Sequence, residues 1–176
     1  MDKPTYSLFP TELGWIGLLG SDRGLRRLVL PQLTGREALR LLINDPTKAL
    51  NNDLTYLGLC YSLRDYFAGK PVDFSTEKVD FFGASSFQEA VWQALRYIPY
   101  GETRTYKWLA EKVGRPDGAR AVGQALARNP IPIIIPCHRI VSVNGLGGYS
   151  GGLALKRKLL DLEKPSRDPA HVRTRD

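Results

Sequence analysis

Three prolines, Pro130, Pro132 and Pro136, fall within the stretch NPIPIIIPCHRIV from Asn129 to Val141. A proline has no backbone N–H and pushes the residue before it towards extended geometry, so this stretch cannot form a helix interior. The isoleucines between the prolines are too apolar for an exposed loop. The pattern predicts an extended, largely buried connection that delivers Cys137, His138 and Arg139 to a fixed place.

The rest of the chain sets the frame for that segment. Its 176 residues allow one domain or two small ones with a real core. No apolar run is long enough to span a membrane, and MDKPTYSLFP lacks the apolar centre of a signal peptide. With two cysteines, a disulfide framework is not expected, and the expected compartment is the reducing cytoplasm. The net charge of +7 is unevenly placed. Residues 1–80 carry 10 basic and 10 acidic side chains, whereas residues 81–176 carry 15 basic and 8 acidic ones. A basic second half fits either a polyanionic partner or a solvated basic surface.

The first half reads as strands and helices. GWIGLLGSDRGLRRLVL sets apolar runs on both sides of GSDRG, a hairpin signal. TGREALRLLIND opens on Thr34 with Glu37 three residues on, the spacing of a capping box. LTYLGLCYSLRDYFAGK repeats apolar residues at Leu54, Leu57 and Tyr61 and stops at Gly69, predicting a helix in which Cys60 is a buried structural thiol. The polar KPVDFSTEKVD reads as the link between an N-terminal domain over 1–80 and a C-terminal one over 81–176.

Three more helices are expected after the link. SSFQEAVWQALRYI carries Ser86 and Glu89 as a second capping box and is ended by Pro99. TYKWLAEKVG stops at Gly114, and ARAVGQALARN follows the GRPDG turn. These last two match a helix-turn-helix, a pattern shared with many helical hairpins. In the second of them Val122, Ala125 and Leu126 share a core-facing side. Ala119, Gly123 and Ala127 form a flat side beside Arg120 and Gln124. A flat side with a cation at its edge suits close approach to a DNA groove, or equally close packing on a neighbouring helix. VNGLGGYSGG is a glycine-rich loop, and LALKRKLLDLE is a final helix with Leu153, Leu159, Leu160 and Leu162 available for the core. KPSRDPAHVRTRD reads as a mobile tail.

Cys137 is the centre of the chemistry. Neighbouring cations or a histidine lower a thiol's pKa, and the thiolate is the nucleophile. Yet side chains adjacent in sequence do not face each other on a helix or a strand, so His138 is expected to reach the thiol through a bridging water. The imidazole needs a carboxylate to fix its tautomer, and Asp161 and Glu163 are the nearest acids in sequence. The cysteines and histidines, with His171 in the tail, have no zinc spacing, and the glycine loop fits neither the P-loop nor the dinucleotide fingerprint. A cysteine hydrolase unconnected with DNA stays possible on these residues alone.

From Phe87 to Glu163 the segments VWQAL, IPYGETRTY, ARAVGQAL, NPIPIIIPCHRIV and GYSGGLALK occur in an order that resembles the O6-alkylguanine-DNA alkyltransferases. The resemblance implies an α+β chain in which a ribonuclease H-like N-terminal domain precedes a winged helix-turn-helix-like one. It implies that Cys137 accepts the alkyl group of O6-alkylguanine irreversibly, once per molecule, with O4-alkylthymine as the other base to consider. His138, through a water, and Glu163 would remove the thiol proton, and Asn129 would brace the turn before them. Tyr106 and Arg120 would act at the DNA, Tyr106 by rotating a phosphate and Arg120 by filling the space of the flipped base, with Ala119, Gly123, Gln124 and Ala127 beside them. Tyr149, Ser150, Pro136 and Val141 would line the base pocket. The implied partner is duplex DNA, bound by a monomer that binds DNA singly or cooperatively, with no cofactor and no membrane. Some relatives hold a structural zinc in the N-terminal domain, but residues 1–80 contain one cysteine and no histidine, so no metal is expected. The competing reading within the resemblance is a lesion sensor that binds the flipped base without chemistry.

Overall fold

The computed structural model describes residues 3–164. Of the tail expected at 164–176, residues 165–176, His171 among them, lie outside the described residues.

Three antiparallel strands, β1 (Thr5–Thr11), β2 (Gly14–Ser21) and β3 (Gly24–Gln32), form a meander whose β2–β3 hairpin turns at the GSDRG signal. The short β4 (Leu50–Asn51) adds in parallel to β1, giving the order β3-β2-β1-β4. Helix α1 (Gly35–Leu42) starts at the predicted capping box: Thr34 accepts from the Glu37 backbone, and the Glu37 side chain accepts from Thr34. It packs over β2 and β3, its Leu42 against the bare backbone of Gly17. Ile16 and Leu18 point to the other face of the sheet. There they join the core with Leu59, Leu63, Tyr66 and Phe67 of α2 (Leu57–Phe67).

The linking stretch is not a free tether. Leu25 donates to the Lys78 carbonyl at 2.9 Å and Asp80 to the Leu25 carbonyl at 2.8 Å, so the strap lies along β3. Phe74 is buried within it, and Arg96 donates to the Phe74 and Ser75 carbonyls. Two apolar residues of KPVDFSTEKVD hold it down: Phe74 is buried and Val79 bridges to Leu25.

Helices α3 (Ser86–Arg96), α4 (Tyr106–Lys112) and α5 (Ala119–Ala127) pack on one another. The cap of α3 falls one residue earlier than expected. Ser85 accepts from the Gln88 backbone, and Gln88, not Glu89, completes the box. Either register fits the spacing, and the helix buries Val91, Trp92 and Leu95. On α5 the predicted split holds: Val122, Ala125 and Leu126 are buried, while Ala119, Arg120, Gln124 and Ala127 are exposed. A two-stranded parallel pair, β5 (Arg104–Thr105) with β6 (Ile140–Val141), and a turn closed by the Ser142–Gly145 bridge form a small wing beside them. Helix α6 (Leu153–Leu162) is the last element among the described residues, with Leu159 buried but Leu153 half-exposed at its first position.

Candidate active site

The segment from Ile131 to Cys137 is buried as expected but is not extended. Ile131, Ile133, Ile134 and Ile135 are all essentially inaccessible. The chain folds back on itself, with Ile135 donating to the Ile131 carbonyl at 2.9 Å and Ile133 at φ +76°, a left-handed conformation a β-branched residue rarely adopts. Asn129 holds this turn together. Its Oδ1 accepts from Ile131 N at 2.9 Å, and its Nδ2 donates to the Ile135 carbonyl at 2.8 Å and to Cys137 Sγ at 3.1 Å. Cys137, His138 and Arg139 then form one tight 3-10 turn, all three buried.

His138 does not bond Cys137 directly. Its Nε2 lies 2.7 Å from Glu163 Oε1, and its Nδ1 has no partner among the described residues. Of the two acids near in sequence, Glu163 folds back, while Asp161 pairs with Lys164 at the surface. Burial alone would raise the Glu163 pKa, but hydrogen bonds from His138 and Arg139 outweigh it and hold the carboxyl at about 2. Glu163 is therefore ionised, so Nε2 carries the hydrogen and Nδ1 is the free basic nitrogen. Gly101 also donates to Glu163 Oε2 at 3.2 Å. Gly101 sits at φ +77°, and a Cβ there would come within 2.8 Å of the Glu163 carbonyl.

The thiol is not lowered as the sequence predicts. Burial pushes Cys137 up to about 11, against a smaller opposing effect from the Asn129 hydrogen bond. Arg139, the cation beside it in sequence, points away to Glu163 and to the Ile98 carbonyl. The resting group is a protonated thiol that requires a base.

Cys137 lies in the wall of a cavity of about 260 Å³ that is also lined by Tyr106, Gly123, Leu126, Ala127, Gly148, Tyr149 and Ser150. The flat side of α5 forms one wall and the glycine loop the other. Gly147 is left-handed, and a Cβ there would meet the Tyr106 ring at 2.8 Å, which explains the glycine. Tyr149 Oη is buried without a partner among the described residues. Two expected lining residues are elsewhere. Pro136 lines a separate cavity of about 460 Å³ with Tyr97, Tyr100 and Arg139, because the 3-10 turn carries it to the far side of Cys137. Val141 pairs with Thr105 in the wing and does not line the Cys137 cavity. Arg120 is exposed on α5, in the helix that supplies Gly123, Leu126 and Ala127 to the cavity wall.

Three residues of the site escaped the sequence reading. Arg139 clamps Glu163. Lys156 is wholly buried and donates to the carbonyls of Ile140 at 2.6 Å, Gly148 at 3.1 Å and Leu146, tying the glycine loop to the strand after the active turn. Tyr66 reaches the same carboxylate from the first half of the chain. For Lys156 a signal existed, since it shares a helix side with Leu159 and Glu163. For Tyr66 there was none beyond its apolar spacing.

A buried thiol, followed in the same turn by a histidine bonded to a buried glutamate, lies under the exposed side of a helix-turn-helix, an arrangement suited to a thiol nucleophile acting on a macromolecular substrate. Comparison with known proteins agrees. Residues 5–81 match the family model "6-O-methylguanine DNA methyltransferase, ribonuclease-like domain" and residues 86–165 the model "6-O-methylguanine DNA methyltransferase, DNA binding domain". The chain belongs to the 6-O-methylguanine DNA methyltransferase family. It is 39% identical over 159 residues to the methylated-DNA–protein-cysteine methyltransferase of Methanosarcina acetivorans, covering 90% of this chain and 97% of that one. It is 57% identical to the protein of the same name from Mycobacterium leprae over 100 residues, 56% of this chain and 59% of that one. Among solved structures it is similar to Mycobacterium tuberculosis OGT in complex with DNA, with a TM-score of 0.77 at 38% identity over 91% of this chain and 92% of that one. It is also similar to the O6-methylguanine-DNA methyltransferase of Pyrococcus kodakaraensis, with a TM-score of 0.68 at 27% identity over 90% and 98%. Among the described residues no helix is long and apolar enough to cross a membrane, and no group of three or more His, Cys, Asp or Glu could hold a metal ion.

Proposed function

We propose that the protein repairs alkylated DNA by moving the alkyl group from O6 of a flipped guanine to Cys137. The observation that carries this is the placing of Cys137 Sγ in the wall of a 260 Å³ cavity directly under the exposed side of α5. The cavity is smaller than the roughly 300–1,000 Å³ of sites for drug-sized ligands, which suits a single base. The target atom is inside the duplex, so the base must leave the stack to reach the thiol. Family membership supports the same chemistry.

The thiol proton passes through a bridging water to His138 Nδ1, and Glu163 stabilises the imidazolium from Nε2. The thiolate attacks the alkyl carbon, the S–C bond forms as the C–O6 bond breaks, and guanine leaves as its O6 anion, which takes a proton on release. The Tyr149 hydroxyl is a free donor for the base edge. The thioether has no group beside it able to hydrolyse it, so each molecule reacts once. Arg120 fills the gap in the stack, Tyr106 turns the phosphate, and Ala119, Gly123, Gln124 and Ala127 approach the backbone, with residues 81–176 as the unit that carries these roles. The partner is duplex DNA bound by a monomer.

The experiment is peptide mass spectrometry after incubation with a duplex carrying O6-methylguanine. One stoichiometric methyl on the peptide containing Cys137 is the expected result. A Cys137→Ala protein that still consumed the lesion would overturn the assignment, and a bound duplex with unmodified Cys137 would make the protein a lesion sensor.

A further inference from the structure

The proposed relay runs through Cys137, His138 and Glu163, all in the second half of the chain, yet its carboxylate is also held from the first half. Tyr66 of α2 donates its hydroxyl to Glu163 Oε1 at 2.6 Å, and the Tyr66 oxygen itself lies 3.3 Å from His138 Nε2. Tyr66, His138 and Glu163 are all sealed from solvent. The Tyr66 ring is fixed independently of that bond, packed edge-on against Phe67, Phe74 and Tyr100 with centroids 5.2, 5.8 and 6.1 Å away. Its oxygen is therefore a pre-placed donor, held by packing where the carboxylate must come to rest.

We propose that Tyr66 is a positioning residue for the alkyl transfer, fixing the Glu163 carboxylate and through it the Nε2–H tautomer of His138, so that the relay is completed by the N-terminal half of the chain. The inference rests on the reading of Cys137 as acceptor. Oε1 accepts from three donors, Tyr66, His138 and Arg139 at 2.6, 2.7 and 2.9 Å. Deleting the phenol hydroxyl removes the shortest of them. The charge it neutralised then falls on the Nε2–H bond, which raises the proton affinity of the imidazole and frees the carboxylate to turn. The groups around the imidazole are Lys156 of α6 and Glu163 just after it, Tyr66 of α2 with Tyr100 behind it, and Arg139 and Cys137 beside it in sequence. Of these, Tyr66 is the uncharged group that bonds the carboxylate directly, so its removal alters the relay without adding or deleting a charge.

The test compares wild type, Tyr66→Phe and Tyr56→Phe. Tyr56 is a control from the same half, whose hydroxyl lies 3.2 Å from Thr5 Oγ1, away from the relay. Methyl transfer from a duplex carrying O6-methylguanine is followed in single turnover across the acid and neutral range, and the imidazole tautomer is read by 15N NMR on histidine-labelled protein, which contains two histidines. For Tyr66→Phe the acid limb of the profile moves to higher pH, the neutral rate falls about tenfold, and the His138 signals change from one tautomer to a mixture. Tyr56→Phe changes thermal stability only. Superimposable profiles and spectra for Tyr66→Phe and wild type, or the same shift in Tyr56→Phe, would overturn the proposal. If wild type itself leaves Cys137 unmodified, the functional reading fails, and the 15N spectra still decide the role of Tyr66.

Discussion

Arg139 and Glu163 face each other through two parallel charge-assisted hydrogen bonds, Nε to Oε2 at 2.8 Å and Nη2 to Oε1 at 2.9 Å, with both side chains sealed in the core. The third arm of the guanidinium donates to the Ile98 carbonyl at 2.6 Å. Removing one partner of a buried pair strands the other, at a cost of about 3–5 kcal/mol. Arg139→Met is expected to lose that much in urea unfolding. Arg139→Lys keeps the charge but not the fork, so its loss should fall between wild type and Arg139→Met.

The same groups set the pH range of stability. Glu163 is held at about 2 against an ordinary value of 4.5, so it contributes stability that is present above about 4.5 and lost as the pH falls through about 2. Burial holds His138 below its ordinary value, so on the acid side loss begins already near 6.5, where the unfolded imidazole takes up a proton. Burial raises both Cys137 and Cys60 to about 11 from 9.0, so their contribution is full below 9 and is lost as the pH climbs through about 11. Urea midpoints should be flat between about pH 7 and 9 and fall on both sides. Glu163→Gln should flatten the part of the acid limb below 4.5.

What the sequence discloses depends on range. The Thr34–Glu37 cap, the α4–α5 turn and the two sides of α5 rest on residues within a few positions of each other, and all were legible. So was the grouping of Cys137, His138 and Glu163, which follows from the resemblance. Tyr66 was not, because its contact spans 97 residues and its spacing on α2 matches any core aromatic. The turn at Ile133 was hidden because a left-handed isoleucine contradicts local preference and exists only where Asn129 and the surrounding core impose it. The resemblance implies Pro136 for the base pocket, whereas here, just before the 3-10 turn, it lines the neighbouring cavity. Lys156 is hard to single out because a lysine on an amphipathic helix is nearly always solvated.

Lys156 joins the loop wall of the cavity to the strand that follows Cys137 through its three carbonyl contacts. Lys156→Met fills the space but leaves those carbonyls unpaired, each costing about 1–3 kcal/mol if it finds no water. Hydrogen exchange over residues 145–150 should rise, and transfer should slow through weaker lesion binding. An unchanged exchange pattern would mean that the loop is held from elsewhere.

If Arg120 fills the gap left by the flipped base, as proposed, it separates flipping from chemistry. It is exposed on α5, in the helix that forms one wall of the Cys137 cavity, and touches neither the thiol nor the relay. Opening a base step costs a few kcal/mol, part of which an inserted side chain returns. That return exists only when the substrate is a duplex. Arg120→Ala should therefore slow transfer from a duplex by about tenfold or more, a barrier change of about 1.4 kcal/mol or above. Its reaction with free O6-methylguanine base should stay within about twofold of wild type, because the pocket and the relay are intact. The two rate constants, measured side by side by loss of the free Cys137 thiol, check this directly. An equal loss on both substrates would place Arg120 in the pocket and not in the gap of the helix.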